Sequence, residues 1–220
     1  MLKPLILLTI STTFLSACSI LSSNNIAPGY RAAYEGISSY FFPKDDESIT
    51  PRIINNIPYA SALISLGGSS RSLIILESIN NKTYHYVSSD SIYISIEEGR
   101  IVNTSGLSNN LTELKVPFLL SELHDNTETL DYFTYYSYDI PQLVGLKIKA
   151  TIEYAGTEEV DLYTSKKVLR RFEESISNDY LGWKRKNIFW LDEEGYVWKS
   201  TQYISPKLPS FTFVITKKPA

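Results

Sequence analysis

Sulfur and imidazole are almost missing from this chain: its 220 residues include one cysteine, one methionine and two histidines. A single thiol forms no internal disulfide and cannot build a thiolate metal site. His85 and His124 fall in separate stretches without ligand spacing around them, so histidine-based metal chemistry has no pattern to rest on. A Gly-x-Ser-x-Gly elbow, a phosphate-binding loop and a His-Glu-x-x-His helix are also absent. Cys–His nucleophilic catalysis would need the one cysteine, which sits at the very start of the chain. Charge of one sign is lacking too: 21 basic against 24 acidic residues leave a net −3, and no field points at nucleic acid. The sequence implies no cofactor.

The cysteine, Cys18, closes an N-terminal leader. Lys3 supplies a positive start, Leu5 to Phe14 an apolar run, and Leu15-Ser16-Ala17-Cys18 the end. The run is shorter than the ~20 residues that span a bilayer, and it reads as the core of a secretory signal. Leu-Ser-Ala-Cys resembles the bacterial lipobox, in which the thiol takes a diacylglycerol, the leader is cut before it, and the new amino group is acylated, commonly with palmitate. A plain signal peptide with an incidental cysteine is the competing reading. Three acyl chains at ~0.8 kcal/mol per buried methylene make a permanent anchor. Ser19, where an aspartate would retain the protein in the inner membrane, points to the periplasmic face of the outer membrane. The expected organisation is a leader over 1–17, a lipidated cysteine and polar tether over 18–27, and one β-rich domain over 28–220. No later apolar segment approaches spanning length.

Sixteen tyrosines, with abundant Ile, Val, Thr and Ser, favour strands. Tyr30, Ala33, Tyr34, Ile37 and Phe41 recur at helical spacing and predict one short N-terminal amphipathic helix, ended by Pro43. Thr50-Pro51 supplies an N-cap and a first-turn proline for another short helical turn. From Ala60 the period becomes that of strands. Gly67-Gly68, Asn80-Asn81, Ser89-Asp90 and Glu98-Gly99 divide short apolar segments every 8–12 residues, as in an antiparallel meander. Leu73–Leu76 lacks alternation, which suggests a strand covered on both faces. Pro117 marks an edge or bulge, and Gly156 is read as a turn between Lys147–Ala155 and Val160–Phe172. Eleven or twelve strands in one antiparallel sheet should curl. The fold class is therefore all-β, a large antiparallel meander bent into a deformed barrel, with a short N-terminal helix.

All three tryptophans, Trp183, Trp190 and Trp198, lie in one C-terminal hairpin around Asp192–Gly195. Alternation puts Trp183, Arg185, Asn187, Phe189 and Leu191 on one face and Lys184, Lys186, Ile188 and Trp190 on the other. An even loop sets Trp198, Ser200 and Gln202 beside Phe189; an odd loop sets Trp198 beside Trp190. One reading is a saccharide platform, with indole faces against sugar C–H groups and Arg185, Asn187 and Gln202 bonding hydroxyls. The other is that the indoles fill the interior. Likewise Lys184-Arg185-Lys186 and Lys166-Lys167…Arg170-Arg171 either meet acidic sugars or phospholipid headgroups, or simply face solvent.

Ile57-Pro58-Tyr59-Ala60-Ser61 and the series Trp183…Asn187…Trp190-Leu191-Asp192…Gly195…Val197-Trp198…Ser200…Gln202…Pro206 resemble the YjbF/GfcB family of capsule- and exopolysaccharide-associated lipoproteins. The resemblance implies a largely antiparallel β fold and a role in making or exporting surface polysaccharide. It carries over no catalytic residue, and only Cys18 keeps a role, lipidation. The expected function is a non-enzymatic lipoprotein assisting capsule assembly or export, its partners being the membrane through the lipid and either polysaccharide or an export-complex protein. A hydrolase working through two carboxylates and a purely structural envelope adaptor are the rivals.

Overall fold

The computed structural model describes residues 49–125 and 129–219. Cys18, the leader, the tether and the helix expected near Tyr30–Phe41 lie outside the described residues. Helix α1 (Pro51–Asn56) begins where Thr50 Oγ1 accepts the Ile53 N–H at 3.3 Å. Twelve strands follow: β1 (Ser61–Leu66), β2 (Ser72–Asn80), β3 (Thr83–Ser88), β4 (Tyr93–Glu97), β5 (Arg100–Ser105), β6 (Leu111–Lys115), β7 (Leu130–Tyr138), β8 (Leu143–Asp161), β9 (Lys166–Asn178), β10 (Trp183–Leu191), β11 (Val197–Gln202) and β12 (Phe211–Lys217). They form one antiparallel sheet in the order β5-β4-β3-β2-β1-β12-β11-β10-β9-β8-β7-β6. Every neighbour is a neighbour in sequence except β1 and β12, which bring the two ends of the meander together.

The sheet curls into a nearly closed barrel whose open edges are β5 and β6. Side chains bridge that seam. Asn103 Nδ2 donates to the Thr112 carbonyl at 2.9 Å, and Thr104 Oγ1 accepts the Leu111 N–H at 2.9 Å. Alternation supplies the interior: Ile64, Ile74, Tyr86, Ile94, Ile148, Ile176, Phe211 and Phe213 form one buried cluster. A second cluster plugs one end of the barrel. The β6–β7 connection turns inward there and packs Leu120 and Leu123 on Ile152, Phe172, Phe189 and Leu191.

Among the described residues α1 and the β8–β9 tip cover one region of the outer face, and this explains the strand without alternation. Leu73 and Ile75 lie under α1 with Ile54, Ile57 and Leu63, while Ile74 faces the interior. The tip of the long β8–β9 hairpin folds over the adjoining strands, where Val160, Leu162 and Leu169 cover Trp190. Tyr163 carries the tip across to α1, its hydroxyl donating to the Ile49 carbonyl.

Gly156 is not the expected turn. With φ of 99° it sits in a bulge between Tyr154 and Thr157, and β8 runs through it. The chain reverses at 162–165 instead, where Asp161 Oδ1 accepts the Tyr163 N–H at 2.7 Å and the Leu162 N–H donates to the Ser165 carbonyl at 2.8 Å. An isolated glycine in a strand serves a bulge as well as a turn, and the Asx turn carries no glycine or proline to announce it.

Candidate functional site

The turns β2–β3, β4–β5 and β10–β11 and the C-terminal end of β12 share one rim of the barrel. They surround a cleft of about 350 Å³ lined by Asn81, Lys82, Tyr84, Tyr86, Glu98 and Tyr196, with Ser121, Glu194 and Lys218 also on its wall. Its size is at the lower end of the roughly 300–1,000 Å³ usual for small-molecule sites. Tyr84 and Tyr86 arrive on one face of β3 because they are two residues apart. Tyr196 stands opposite, edge-on to Trp198 at 5.3 Å between ring centroids, with Lys218 Nζ 4.3 Å from its own ring centre. Burial holds the Tyr86 and Tyr196 phenols protonated well above their ordinary range. Ser121 Oγ donates to Glu98 at 2.6 Å, and Glu194 lies 3.9 Å from Lys218. Aromatic faces, amide, hydroxyl and both signs of charge thus meet around one opening.

Deeper in the barrel is a sealed polar cluster. Arg100 and Glu174 form an ion pair at 2.7 Å with side chains 7% and 2% exposed. Tyr132 donates to one carboxylate oxygen of Glu174, and Asn187 Nδ2 donates to the other at 2.7 Å. The guanidinium also lies over the Phe189 ring at 4.7 Å. Burial is the largest single effect and pulls the Arg100 pKa down, but Glu174 with Tyr132 and Tyr136 together outweigh it, and the group stays charged. Burial, then Glu174, raise Tyr132 and Tyr136 well above the ordinary phenol range.

The tryptophan hairpin does not form one exposed platform. The expected alternation along β10 holds, but it buries most of the set. Trp183 lies in the interior against Tyr136, 5.9 Å between ring centres. Asn187 bonds Glu174 and accepts the Tyr203 N–H at 2.7 Å. Gln202 donates to the Gly99 carbonyl at 2.8 Å and accepts the Ile101 N–H at 3.1 Å, tying β11 to the barrel's open edge. Trp190 is covered by the hairpin tip and donates to Glu158. Trp198 is half-buried and donates to Asp192 Oδ2 at 2.7 Å, with Lys167 Nζ 4.5 Å from the ring centre. Arg185 is exposed beside Tyr203, at 5.5 Å. Neither simple register of the hairpin applies. A bulge sets Phe189 opposite Ser200 while Leu191 faces Val197, so Trp198 is the extra residue and joins the cluster around Trp190.

Most of the second basic group is also engaged inside the chain. Lys166 meets Glu159 at 3.1 Å, Arg170 donates to the Asp192 and Leu123 carbonyls, and Arg171 pairs with Glu158 and Glu173. The cleft residues were not singled out by motif. The tyrosine excess signalled them, but their convergence depends on how the strands pair.

A statistical model of the family described as "Group 4 capsule polysaccharide lipoprotein gfcB, YjbF" matches residues 34–215. The lipoprotein YjbF of Escherichia coli K12 is 24% identical over 164 residues, 71% of this chain and 74% of that protein. The lipoprotein GfcB of the same strain is 22% identical over 209 residues, 92% of each. The crystal structure of the hypothetical lipoprotein YmcC from Escherichia coli K12 superposes with a TM-score of 0.69 at 19% identity, covering 84% of this chain and 96% of that one. That likeness bears on the fold, and it is the same barrel-shaped sheet. The family match spans both the N-terminal and the tryptophan-rich segments, and the chain belongs to the YjbF/GfcB family of group 4 capsule polysaccharide lipoproteins.

Proposed function

We propose that this chain is a lipid-anchored protein of the periplasmic face of the outer membrane, and that it assists capsule or exopolysaccharide assembly or export by holding glycan in the tyrosine-lined cleft. The observation that carries this reading is the composition of that cleft: Tyr84 and Tyr196 offer ring faces to sugar C–H groups, while Asn81, Lys82 and Lys218 offer donors to hydroxyl or acidic substituents. Few precisely placed polar groups among aromatic walls suit a ligand that is apolar on its ring faces and polar at its edges. A concave opening suits a glycan segment better than the flat face of an export-complex protein. Lipidation at Cys18 would hold the protein at the membrane across which the polysaccharide passes.

Hydrolysis by paired carboxylates is the rival reading, and Glu98 and Glu194 are the pair that lines the cleft. Glu194 is 82% exposed and close to Lys218, whereas a proton donor to a glycosidic oxygen works best shielded from water. Glu174, which is shielded, is committed to Arg100. Binding without bond cleavage is therefore the reading adopted.

Titrating the unlipidated chain with surface polysaccharide purified from the source strain tests it, using the fluorescence of Trp198, which touches Tyr196. A saturable change is expected, weakened at least ten-fold by Tyr196→Ala and by Tyr84→Ala. A flat response rejects glycan binding. Release of reducing ends, lost in Glu98→Gln or Glu194→Gln, would establish the hydrolase instead.

A further inference from the structure

The barrel rim opposite the cleft carries a different surface. Its β7–β8 and β9–β10 turns lie side by side, since Asn178 Nδ2 donates to the Lys147 carbonyl at 3.0 Å across their bases. From these turns Ile140, Val144, Tyr180 and Leu181 project into solvent, Val144 at 78% and Tyr180 at 93% exposure. Between them opens an apolar cavity of about 110 Å³ whose wall includes Pro141, Leu143, Leu146 and Leu181. Exposed large apolar groups gathered on adjacent turns are costly in water and mark a contact surface.

Cations stand behind these tips. Lys147 and Lys149 on β8 and Lys184 on β10 are exposed on the outer face, Lys149 and Lys184 both facing Ser177 of the strand between them. Lys207 lies at the cavity rim. None of the four is ion-paired to a carboxylate among the described residues; Lys147 lies over the Phe133 ring instead, 3.7 Å from its centre. Asp139, at the same end, is taken up by the Asn110 side chain and N–H, and Asp179 is the carboxylate left beside the patch.

We infer that this rim docks on an anionic phospholipid surface, inserting the two turns among the headgroups. The arrangement is layered along the strand axis. Lys147 is three residues from Val144, ~10 Å of extended chain, which matches the ~5–10 Å to which interfacial segments bury their apolar side chains. Apolar tips would reach the acyl boundary while the lysines stay level with phosphates. The tips surround a cavity of only about 110 Å³ with lysines behind them, an arrangement that fits a soft anionic surface better than a protein ridge. Docked in this way, the cleft faces away from the membrane.

The test uses residues 18–220 carrying Cys18→Ser, so that no acyl chain contributes, in co-sedimentation with phosphatidylethanolamine–phosphatidylglycerol vesicles. Binding is expected, at least ten-fold weaker to pure phosphatidylcholine vesicles and weakened by salt, as roughly five-fold per lysine at an anionic surface predicts. Val144→Ser with Tyr180→Ser, both at exposed sites, should lower binding at least ten-fold without moving the melting temperature. Lys147→Glu with Lys184→Glu should do the same for the anionic vesicles alone. Absence of vesicle binding, or unchanged binding by the turn variant, overturns the inference. So does a dimer in sedimentation that the turn variant dissolves, which would make this rim an interface between copies. Vesicle binding and glycan titration use opposite rims, so either can fail alone.

Discussion

Arg100 on the edge strand β5 and Glu174 on β9, three strands in from the opposite edge β6, meet at 2.7 Å inside the barrel. Their pair, with Tyr132 and Asn187 completing the carboxylate, ties the edge strand β5 across the interior to the wall formed by β7, β9 and β10. Replacing Arg100 with Met leaves Glu174 buried without its countercharge, at a cost of about 3–5 kcal/mol. The double variant Arg100→Met with Glu174→Leu removes both charges and should recover most of that loss. Urea unfolding of the two variants checks this; equal losses would show that the pair is not the stabilising contact between β5 and that wall.

Gly99 closes the β4–β5 turn with φ of +79°, and a Cβ there would sit 2.3 Å from Val197 Cβ. Both residues line the cleft. Gly99→Ala therefore strains the backbone and pushes on β11 together, costing about 1–3 kcal/mol by the usual price of such conformations. Because Val197 must move, glycan affinity should fall with stability. Fluorescence titration beside thermal melting reads both; a stable variant with full affinity would contradict the close approach.

The strand count and most strand positions were legible because alternation and turn residues act locally. Glu98-Gly99 and Asn80-Asn81 each reverse the chain where their chemistry predicts. The buried charge is different: the strand expected over Val160–Phe172 stops short of Glu174, and only the observed extent of β9 sets that carboxylate between Phe172 and Ile176 on one buried face. What lay beyond reach was long-range pairing. Nothing local says that β1 meets β12, that Gln202 reaches Gly99, or that Tyr84 and Tyr196 face one cleft. Gly156 predicts a turn but serves a bulge, and the covering of Trp190 depends on a fold-back of the β8–β9 tip that no local residue announces. The tryptophan cluster was visible as a cluster, but its burial came from these distant contacts.

Five tyrosines, Tyr86, Tyr132, Tyr136, Tyr138 and Tyr196, are pushed by burial well above the ordinary phenol value. A folded pKa raised above the unfolded one gives stability that is complete below the unfolded value of about 10, and that is lost as pH climbs towards the folded value. Absorbance titration of the native chain should therefore show these phenols silent while exposed tyrosines ionise. Their signal should appear together with loss of the barrel's circular dichroism. Ionisation of all 16 tyrosines in one step, with the fold intact, would contradict their burial.

Glu173, which faces outward from β9 beside the sealed cluster, contributes to the acid limb. Its hydrogen bond from Lys186 holds the carboxyl below the usual range against a smaller opposing effect of burial, and Arg171 adds to the lowering. A depressed folded pKa contributes stability that is complete above the unfolded value of 4.5 and is lost as pH falls through the folded one. Glu173→Gln removes the titrating group, so the variant should be less stable than the parent at neutral pH and should lose less on acidification below that value. Lys186→Met should flatten the same limb by raising the Glu173 pKa towards normal, while leaving Arg171 in place. Denaturant midpoints measured from neutral pH to about pH 3 separate this local linkage from general acid unfolding: parallel curves for parent and both variants would remove Glu173 as its source.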